Sequence, residues 1–332
     1  MTNQENLNPG QILEISGFYW KTCTLHGAVK LGVFTAIGRS AVTARELAKE
    51  MGVDRRSLEM LLNALSAMDL LVKRDALYAN TPLAMTFLSK DSPDYIGYMV
   101  MHHHHLMDSW AQLDVAVRTG GPVRSRMAHS EGERRESFLM GMYNLAMSIA
   151  PRVAEMIDLS KCRRLLDLGG GPGTYAIHFC LKNPQLRATV FDLPTTEPFA
   201  LKTIDKFGLK DRVGFLPGDY LEEEIRGEYD VAWLSHILHG EGPEACQMII
   251  GKTVSALEPG GMVFIHEFIL NNSEDGPLFP ALFSLNMLLG TPEGQSYSEE
   301  HLRQMLTRAG AKETQRIPFQ GPNDSGIILG VF

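Results

Sequence analysis

The rhythm of apolar and polar positions changes along the chain, and each change predicts a different kind of structure. From residue 12 to about 90 the apolar positions recur at helical spacing in short runs. "TARELAKEMGV" places Leu47, Ala48 and Met51 on one face, with Thr43 as an N-cap. "DRRSLEMLLNALSAMDLL" follows with a Leu/Met stripe and Asp54 as its cap. "LVKRDALYANTPLA" then alternates and turns like a small β-wing, so this region predicts a winged helix. From about 95 to 160 the pattern is helical throughout, with "LMDSWAQLDVAVRTG" ending at Gly120-Gly121 and the Met-rich "RESFLMGMYNLAMSIAPRVAEMIDL" behind it. After residue 160 short apolar runs alternate with helical ones. "RRLLDL", "ATVFDLP", "VGFLPGDY", "YDVAWLSHIL" and "GMVFIHEFIL" are strand candidates. Strands alternating with helices predict an α/β domain built on a parallel sheet covered on both faces. The final helix, strand, strand of "HLRQMLTRAGA", "TQRIPF" and "SGIILGVF" predicts an antiparallel hairpin at its edge.

These textures divide the chain into 12–95, 96–160 and 161–332, and 332 residues suffice for two cores. Composition narrows the class. A net charge of -8 argues against a basic nucleic-acid footprint, although Arg55 and Arg56 sit where a winged helix would read DNA. Cys23, Cys162, Cys180 and Cys246 are far apart and form no C-x-x-C pair, so neither a zinc knuckle nor a disulfide framework is expected. The polar start "MTNQENLNPG" carries no signal peptide, and no apolar run reaches bilayer-spanning length. A cytoplasmic protein follows from this reading.

The motif richest in chemistry is "DLGGGPG", with Asp167, Gly169, Gly171 and Gly173 where the first strand ends and a helix begins. Ligands in such sheets bind beyond the carboxyl ends of the strands. Asp192 closes the next strand in "VFDLP", nineteen residues after Gly173, and a carboxylate there suits ribose hydroxyls. The dinucleotide fingerprint G-x-G-x-x-G fails, because the sixth residue is Thr174 or Ala176. Asp167 would also repel a pyrophosphate and suits a cationic amine. A ligand with a ribose, a cationic amine and no phosphate is S-adenosylmethionine, with S-adenosylhomocysteine as its product.

On these motifs the chain resembles the small-molecule O-methyltransferases of the plant caffeate and bacterial polyketide type. The resemblance spans nearly the whole chain and implies a Rossmann-like class I methyltransferase sheet behind an N-terminal winged-helix-like dimerisation domain, hence a homodimer. "LMDSWAQLDVAVRTGG" is similar to the family helix leading into the acceptor pocket, and "FLMGM", with Met142, to the segment before the catalytic domain. The resemblance implies that Asp219 and Tyr220 in "GDYL" contact adenine, that Leu193 lines the cofactor site beside Asp192, and that Ser235 meets the cofactor carboxylate. It places His239 of "LSHILHGEG" on the general base, His236 on a packing position, and Glu267 on the acid that orients the base. Two positions depart from the family. Ser296 stands where a second acid is frequent, with Glu299 three residues on, and Gly240-Glu241 replaces the usual Asp-Trp.

The remaining candidates carry alternatives. On a strand His236 and His239 would point to opposite faces, on a helix or turn they could converge, and two ligands make no metal site, so no metal is expected. In the internal tract His102 to His105 only His102 and His105 share a helical face. They contact the acceptor or pack elsewhere. The apolar segment 277–294 resembles the family's acceptor-lining insertion, with Phe279, Phe283, Asn286 and Met287 as contacts or as subunit packing. The leading function is S-adenosylmethionine-dependent O-methylation of a small, aromatic hydroxylated metabolite. Methylation of nitrogen, carbon or sulfur and a winged-helix regulator that senses the cofactor are the alternatives.

Overall fold

The computed structural model describes residues 8–332, so most of the polar N-terminal stretch read for a signal peptide lies outside the described residues. The chain forms two units, Met1–His105 and Leu106–Phe332. The boundary thus falls at residue 105, not at 95 and 160. Residues 106–160 go with the sheet because Ile149, Ala150, Val153 and Ala154 join its hydrophobic core.

The N-terminal unit begins with α1 (Gly10–Gly17), α2 (Tyr19–Leu31) and α3 (Val33–Ile37). Then come β1 (Val42–Thr43), α4 (Ala44–Met51) and α5 (Arg55–Ala67). The hairpin β2 (Leu71–Arg74) and β3 (Leu77–Asn80) precedes α6 (Pro82–Phe87) and α7 (Gly97–Trp110). Thr43 caps α4 in a reciprocal capping box with Glu46, and the Asp54 carboxylate caps α5 by accepting from the Ser57 N–H. The three strands pair antiparallel in the order β1-β3-β2, which gives the expected wing. "TPLA" belongs not to the wing but to α6, because the Thr81 side chain accepts from the Ala84 N–H and Pro82 occupies the first helical turn. Phe34, Leu47, Leu62, Leu65 and Tyr78 form the core of this unit.

In the second unit α8 (Leu113–Thr119) follows a break at Ala111-Gln112, so "LMDSWAQLDVAVRTG" is two helices and not one. The Met-rich run is α9 (Gly132–Met156). The sheet then alternates: β4 (Arg164–Leu168), α10 (Thr174–Lys182), β5 (Arg187–Asp192), α11 (Glu197–Lys206), β6 (Val213–Pro217) and β7 (Tyr229–Ser235). It continues with α12 (Pro243–Ser255), β8 (Leu257–Leu270), α13 (Leu278–Gly290), β9 (Tyr297–Ser298), α14 (Glu299–Arg308), β10 (Glu313–Ile317) and β11 (Ser325–Val331). The strand order is β10-β11-β8-β7-β4-β5-β6, with β9 paired to the end of β8. All pairs are parallel except the two made by β11. Alternation along each strand splits the core in two. Leu165, Val231, Trp233 and Phe264 face α9, α10 and α11, while Leu166, Ala232, Leu234 and Ile265 face α12 and α14. The order reverses between β4 and β7, so the tips of β4, β5, β7 and β8 surround the crevice where ligands of such sheets sit. Among the described residues no helix is long and apolar enough to cross a membrane.

Candidate active site

The turn after β4 is shaped by four glycines. Gly169, Gly171 and Gly173 have φ of 62°, 53° and 77°, in the left-handed region where glycine carries no steric penalty. A methyl group on Gly169 would strike the Ile237 side chain, whereas one on Gly171 would meet nothing within 4 Å. The turn therefore presents bare backbone to open space at Gly171. Gly170, which the motif reading passed over, is needed as well: a Cβ there would lie 2.6–2.9 Å from the Asp167 carboxylate atoms.

Asp167 is 1% exposed, and its Oδ2 accepts from the Ala176 N–H at 3.1 Å in the first turn of α10. Its Oδ1 has no partner. Burial pushes its carboxyl up to about 7, partly offset by the Ala176 N–H and reinforced by the charge of Asp192. Asp192 ties the two strand ends together. Oδ2 accepts from the Gly171 N–H at 2.8 Å, and Oδ1 from the Leu193 N–H at 2.7 Å and the Thr196 hydroxyl at 2.9 Å. Burial raises its pKa, and these donors, with Arg135 nearby, hold it down. Three of roughly four acceptor positions of this carboxylate are thus used within the chain. Asp219 accepts from the Leu221 N–H, and the Tyr220 hydroxyl lies 3.4 Å from Glu241 Oε1. Ser235, half-buried, has its Oγ 3.0 Å from His266 Nδ1. His266 is wholly buried among Ser235, Tyr175 and Ser325, and burial holds its pKa well below the usual imidazole range.

The histidines of "LSHILHGEG" do converge. β7 stops at Ser235, and His236 takes a left-handed φ of 57° while its N–H donates to the His266 carbonyl at 2.8 Å. A single 3₁₀ turn, Leu238–Gly240, then swings His239 back over β8. Of the strand and turn alternatives the turn holds, because the strand ends before His236. Glu267, 1% exposed, organises the turn. Its Oε1 accepts from the Leu238 N–H at 2.9 Å and the His239 N–H at 3.3 Å, and Oε2 lies 2.6 Å from His239 Nδ1. Burial alone would raise the Glu267 pKa, but the imidazoles of His239 and His236 outweigh it and hold the carboxyl well below its usual range. His236 Nδ1 is 3.6 Å from the same oxygen, too far for a hydrogen bond. Its ring packs between His266 and Phe268 at centroid distances of 4.4 and 4.3 Å. His236, His239 and Glu267 bring three metal-ligating atoms within 4.8 Å of one another, a grouping the pairwise sequence argument had not included. Phe283 meets the His239 ring edge-on at 4.7 Å, and Phe268 and Phe279 pack against Phe283, so an apolar wall flanks the imidazole.

Other sequence candidates are placed differently. Met287 and Asn286 are buried on α13, with the Asn286 carbonyl and Oδ1 both accepting from Arg124 Nη2 at 3.2 Å. Met142 is half-buried on α9. His102, buried, and His105, half-buried, lie on α7 within the N-terminal unit. Ser296 is buried without a partner for its Oγ, and Glu299 is engaged with Arg303 and Arg316, so it makes no contact with His239. Glu241 departs from the family pattern for a visible reason. It forms a two-pronged ion pair with Arg126 at 2.5 and 2.7 Å, and Arg126 also donates to the Gly240 carbonyl. The Tyr297 hydroxyl donates to the Glu241 carbonyl at 2.5 Å. Residues 115 positions apart give no local signal of such a pairing, so the sequence reading missed it.

A sheet of this order, with a bare glycine turn after its first strand, an acid closing the second and a His–Glu pair at its tips, defines a class I S-adenosylmethionine-dependent methyltransferase. Comparison with known proteins specifies it further. Residues 110–312 match the O-methyltransferase domain family, and residues 13–90 match the O-methyltransferase dimerisation domain. The chain is 33% identical to 3-hydroxy-5-methyl-1-naphthoate 3-O-methyltransferase of Streptomyces sahachiroi, over 97% of this chain and 95% of the relative. It is 30% identical to the tetracenomycin polyketide synthesis 8-O-methyl transferase TcmO of Streptomyces glaucescens, over 96% of each chain. Human N-acetylserotonin methyltransferase in complex with SAM superposes with a TM-score of 0.86 at 25% identity, covering 100% of this chain and 99% of that one. The chain belongs to the O-methyltransferase family and is an S-adenosylmethionine-dependent enzyme, which favours the enzyme reading over a DNA-binding regulator.

Proposed function

We propose that the enzyme methylates a hydroxyl group on a small aromatic metabolite, with His239 as general base and Glu267 as the residue that positions it. The observation that carries this reading is the 2.6 Å contact between His239 Nδ1 and Glu267 Oε2 beside the Phe283 ring. A carboxylate with a strongly lowered pKa only accepts, so Nδ1 carries the proton and Nε2 keeps its lone pair. A phenol has a pKa near ~10 and a free imidazole near ~6.5, so His239 removes the proton as the oxygen attacks and not beforehand. Glu267 then faces the imidazolium and stabilises it. Phe268 and Phe283 keep water from the ring and supply flat apolar surface for an aromatic acceptor. Relatives named for a hydroxynaphthoate and for a tetracenomycin polyketide act on acceptors that suit such a wall.

The glycine turn fits the cofactor. Gly171 leaves room for a ligand against the backbone, and Asp167 Oδ1 is an unmet acceptor of the kind a cationic amine satisfies. Asp192, with Leu193 beside it, would hold the ribose, Asp219 and Tyr220 the adenine, and the Gly169–Gly173 turn the amino-acid end. Ser235, held by His266, would meet the cofactor carboxylate. When bound, S-adenosylmethionine supplies an electrophilic methyl group. Residues 12–95 would form the dimerisation domain of a homodimer. The exposed apolar side chains Ile12, Leu13, Ile15, Phe18 and Trp20 of α1 and α2 support this. A cytoplasmic setting agrees with four free cysteines.

The test is His239→Ala. Turnover of a phenolic acceptor is expected to fall about 10²–10⁴-fold, while S-adenosylhomocysteine affinity measured by calorimetry stays within a few-fold. Unchanged turnover in the folded variant removes the base role.

A further inference from the structure

Arg124 is a partly buried guanidinium that no described residue neutralises. It lies in the segment between α8 and α9 and is docked on α13: the N–H groups of Val123 and Arg124 both donate to the Leu289 carbonyl, at 3.1 and 3.2 Å. Its Nη2 donates to the carbonyl and to Oδ1 of Asn286, each at 3.2 Å, and its Nη1 lies 3.4 Å from its neighbour Ser125's carbonyl. Nε is buried and has no partner. Gly290 makes room for the guanidinium, since a Cβ there would collide with Nη1, Nη2 and Cζ. Every acceptor around it is neutral, and among the described residues no carboxylate pairs with it, in contrast to Arg126 two residues on. Burial lowers its pKa, with no neighbouring charge to oppose the effect. A guanidinium partly withdrawn from water favours an anionic partner, because part of its desolvation is otherwise uncompensated. Arg124 is therefore open to an anion from outside these residues.

Its place indicates which anion. Asn286, which grips Arg124, stands three residues after Phe283 on α13, and Phe283 touches the His239 ring. Side chains three apart share a helix face, with about 5–6 Å between their Cβ atoms, so Arg124 and His239 meet neighbouring positions on α13. We propose that Arg124 is the anion subsite of the acceptor pocket, and that the acceptor is an aromatic hydroxy acid whose carboxylate pairs with Arg124 while its hydroxyl faces His239. The proposal rests on the reading of His239 as the base, and it deepens that reading by naming the acceptor class. The planar fork of a guanidinium matches a carboxylate in two parallel hydrogen bonds, and Asn286 fixes the plane of the fork.

The experiment is binding, not turnover, so that it separates the two claims. Matched pairs of acid and primary amide, built on hydroxybenzene and hydroxynaphthalene rings, are titrated by calorimetry into the full-length enzyme saturated with S-adenosylhomocysteine. The acid of at least one pair is expected to bind about 10- to 100-fold more tightly than its amide. Arg124→Gln is expected to abolish that preference and Arg124→Lys to keep part of it, with S-adenosylhomocysteine affinity and melting temperature near those of the unaltered enzyme. No acid preferred over its amide in the unaltered enzyme, or no acid bound at all, overturns the proposal without recourse to any variant. So does a preference that survives in Arg124→Gln. Loss of the dimer in Arg124→Gln, seen by sedimentation, also overturns it, because the anion then belongs to a second copy of the chain. His239→Ala leaves the acid preference intact if the subsite is real, whether or not His239 proves to be the base.

Discussion

Replacing Glu267 with glutamine isolates the charge at the centre of the proposed mechanism without changing its shape. The Glu267 carboxylate accepts three N–H groups: two from the backbone of Leu238 and His239, and one from His239 Nδ1 at 2.6 Å. A glutamine offers one acceptor oxygen and one NH₂ group in the same volume. If the oxygen faces the backbone, the NH₂ group donates to Nδ1 and drives the imidazole proton onto Nε2, the atom meant to receive a proton. If the oxygen faces Nδ1, the NH₂ group abuts two backbone donors and the 3₁₀ turn loosens. Either arrangement also removes the negative charge that faces the imidazolium. A hydrogen bond to a charged group contributes about 1.5–3 kcal/mol, and 1.36 kcal/mol is tenfold in rate. Losing the Nδ1 contact alone should therefore lower kcat by about 10- to 150-fold. The assay is transfer of a labelled methyl group to a phenolic acceptor at saturating cofactor. Calorimetric binding of S-adenosylhomocysteine and thermal melting serve as controls. Cofactor affinity should stay within a few-fold, and Glu267→Asp, which keeps the charge on a shorter stem, should recover part of the rate. A folded Glu267→Gln enzyme with kcat within threefold of the original would refute the reasoning, because the 2.6 Å contact between Glu267 and His239 would then have no catalytic consequence.

Two further outcomes follow from buried charges outside the base. The carboxyl of Asp167 is raised by burial to about 7, above the ~3.9 of an unfolded aspartate, so the folded state binds the proton more tightly. Stability of the cofactor-free enzyme should therefore fall as pH rises from 5.5 to 8, by about 2 kcal/mol in chemical denaturation. Asp167→Asn should flatten that slope, and an equal slope in the variant would assign the effect to other groups. Glu241→Gln breaks the two-pronged pair with Arg126, whose partners are mostly buried. A loss of about 3 kcal/mol in unfolding free energy is expected, and a change below about 1 kcal/mol would show that the pair behaves like a surface contact.

The glycine turn and the acid after the second strand were legible because each is local. A strand, a tight turn and a helix follow one another within about twenty residues, and only glycine tolerates the left-handed backbone that the turn requires. Gly170 was less visible, because its necessity comes from the side chain of Asp167 folding back beneath it. The break between α7 and α8 was hidden by an apolar periodicity that runs through it. Whether His236 and His239 converge stayed open for a comparable reason: the end of β7 and the left-handed residue after it decide where the ring points, and periodicity does not record either.

The sequence by itself determined the alternation of strands and helices, the glycine turn after the first strand of the sheet and, through resemblance, the family and the positions of His239 and Glu267. Those properties follow from short-range rules and from motifs of fixed spacing. Tertiary structure alone decided which distant polar groups meet: Arg126 with Glu241, Arg124 with Asn286 but, among the described residues, with no carboxylate, and Ser235 with His266. The physical reason is that pairing depends on distance in space, whereas chain separation between these partners ranges from 31 to 162 residues. Burial, which sets the worth of each charge, likewise exists only once the sheet and its helices have closed around it.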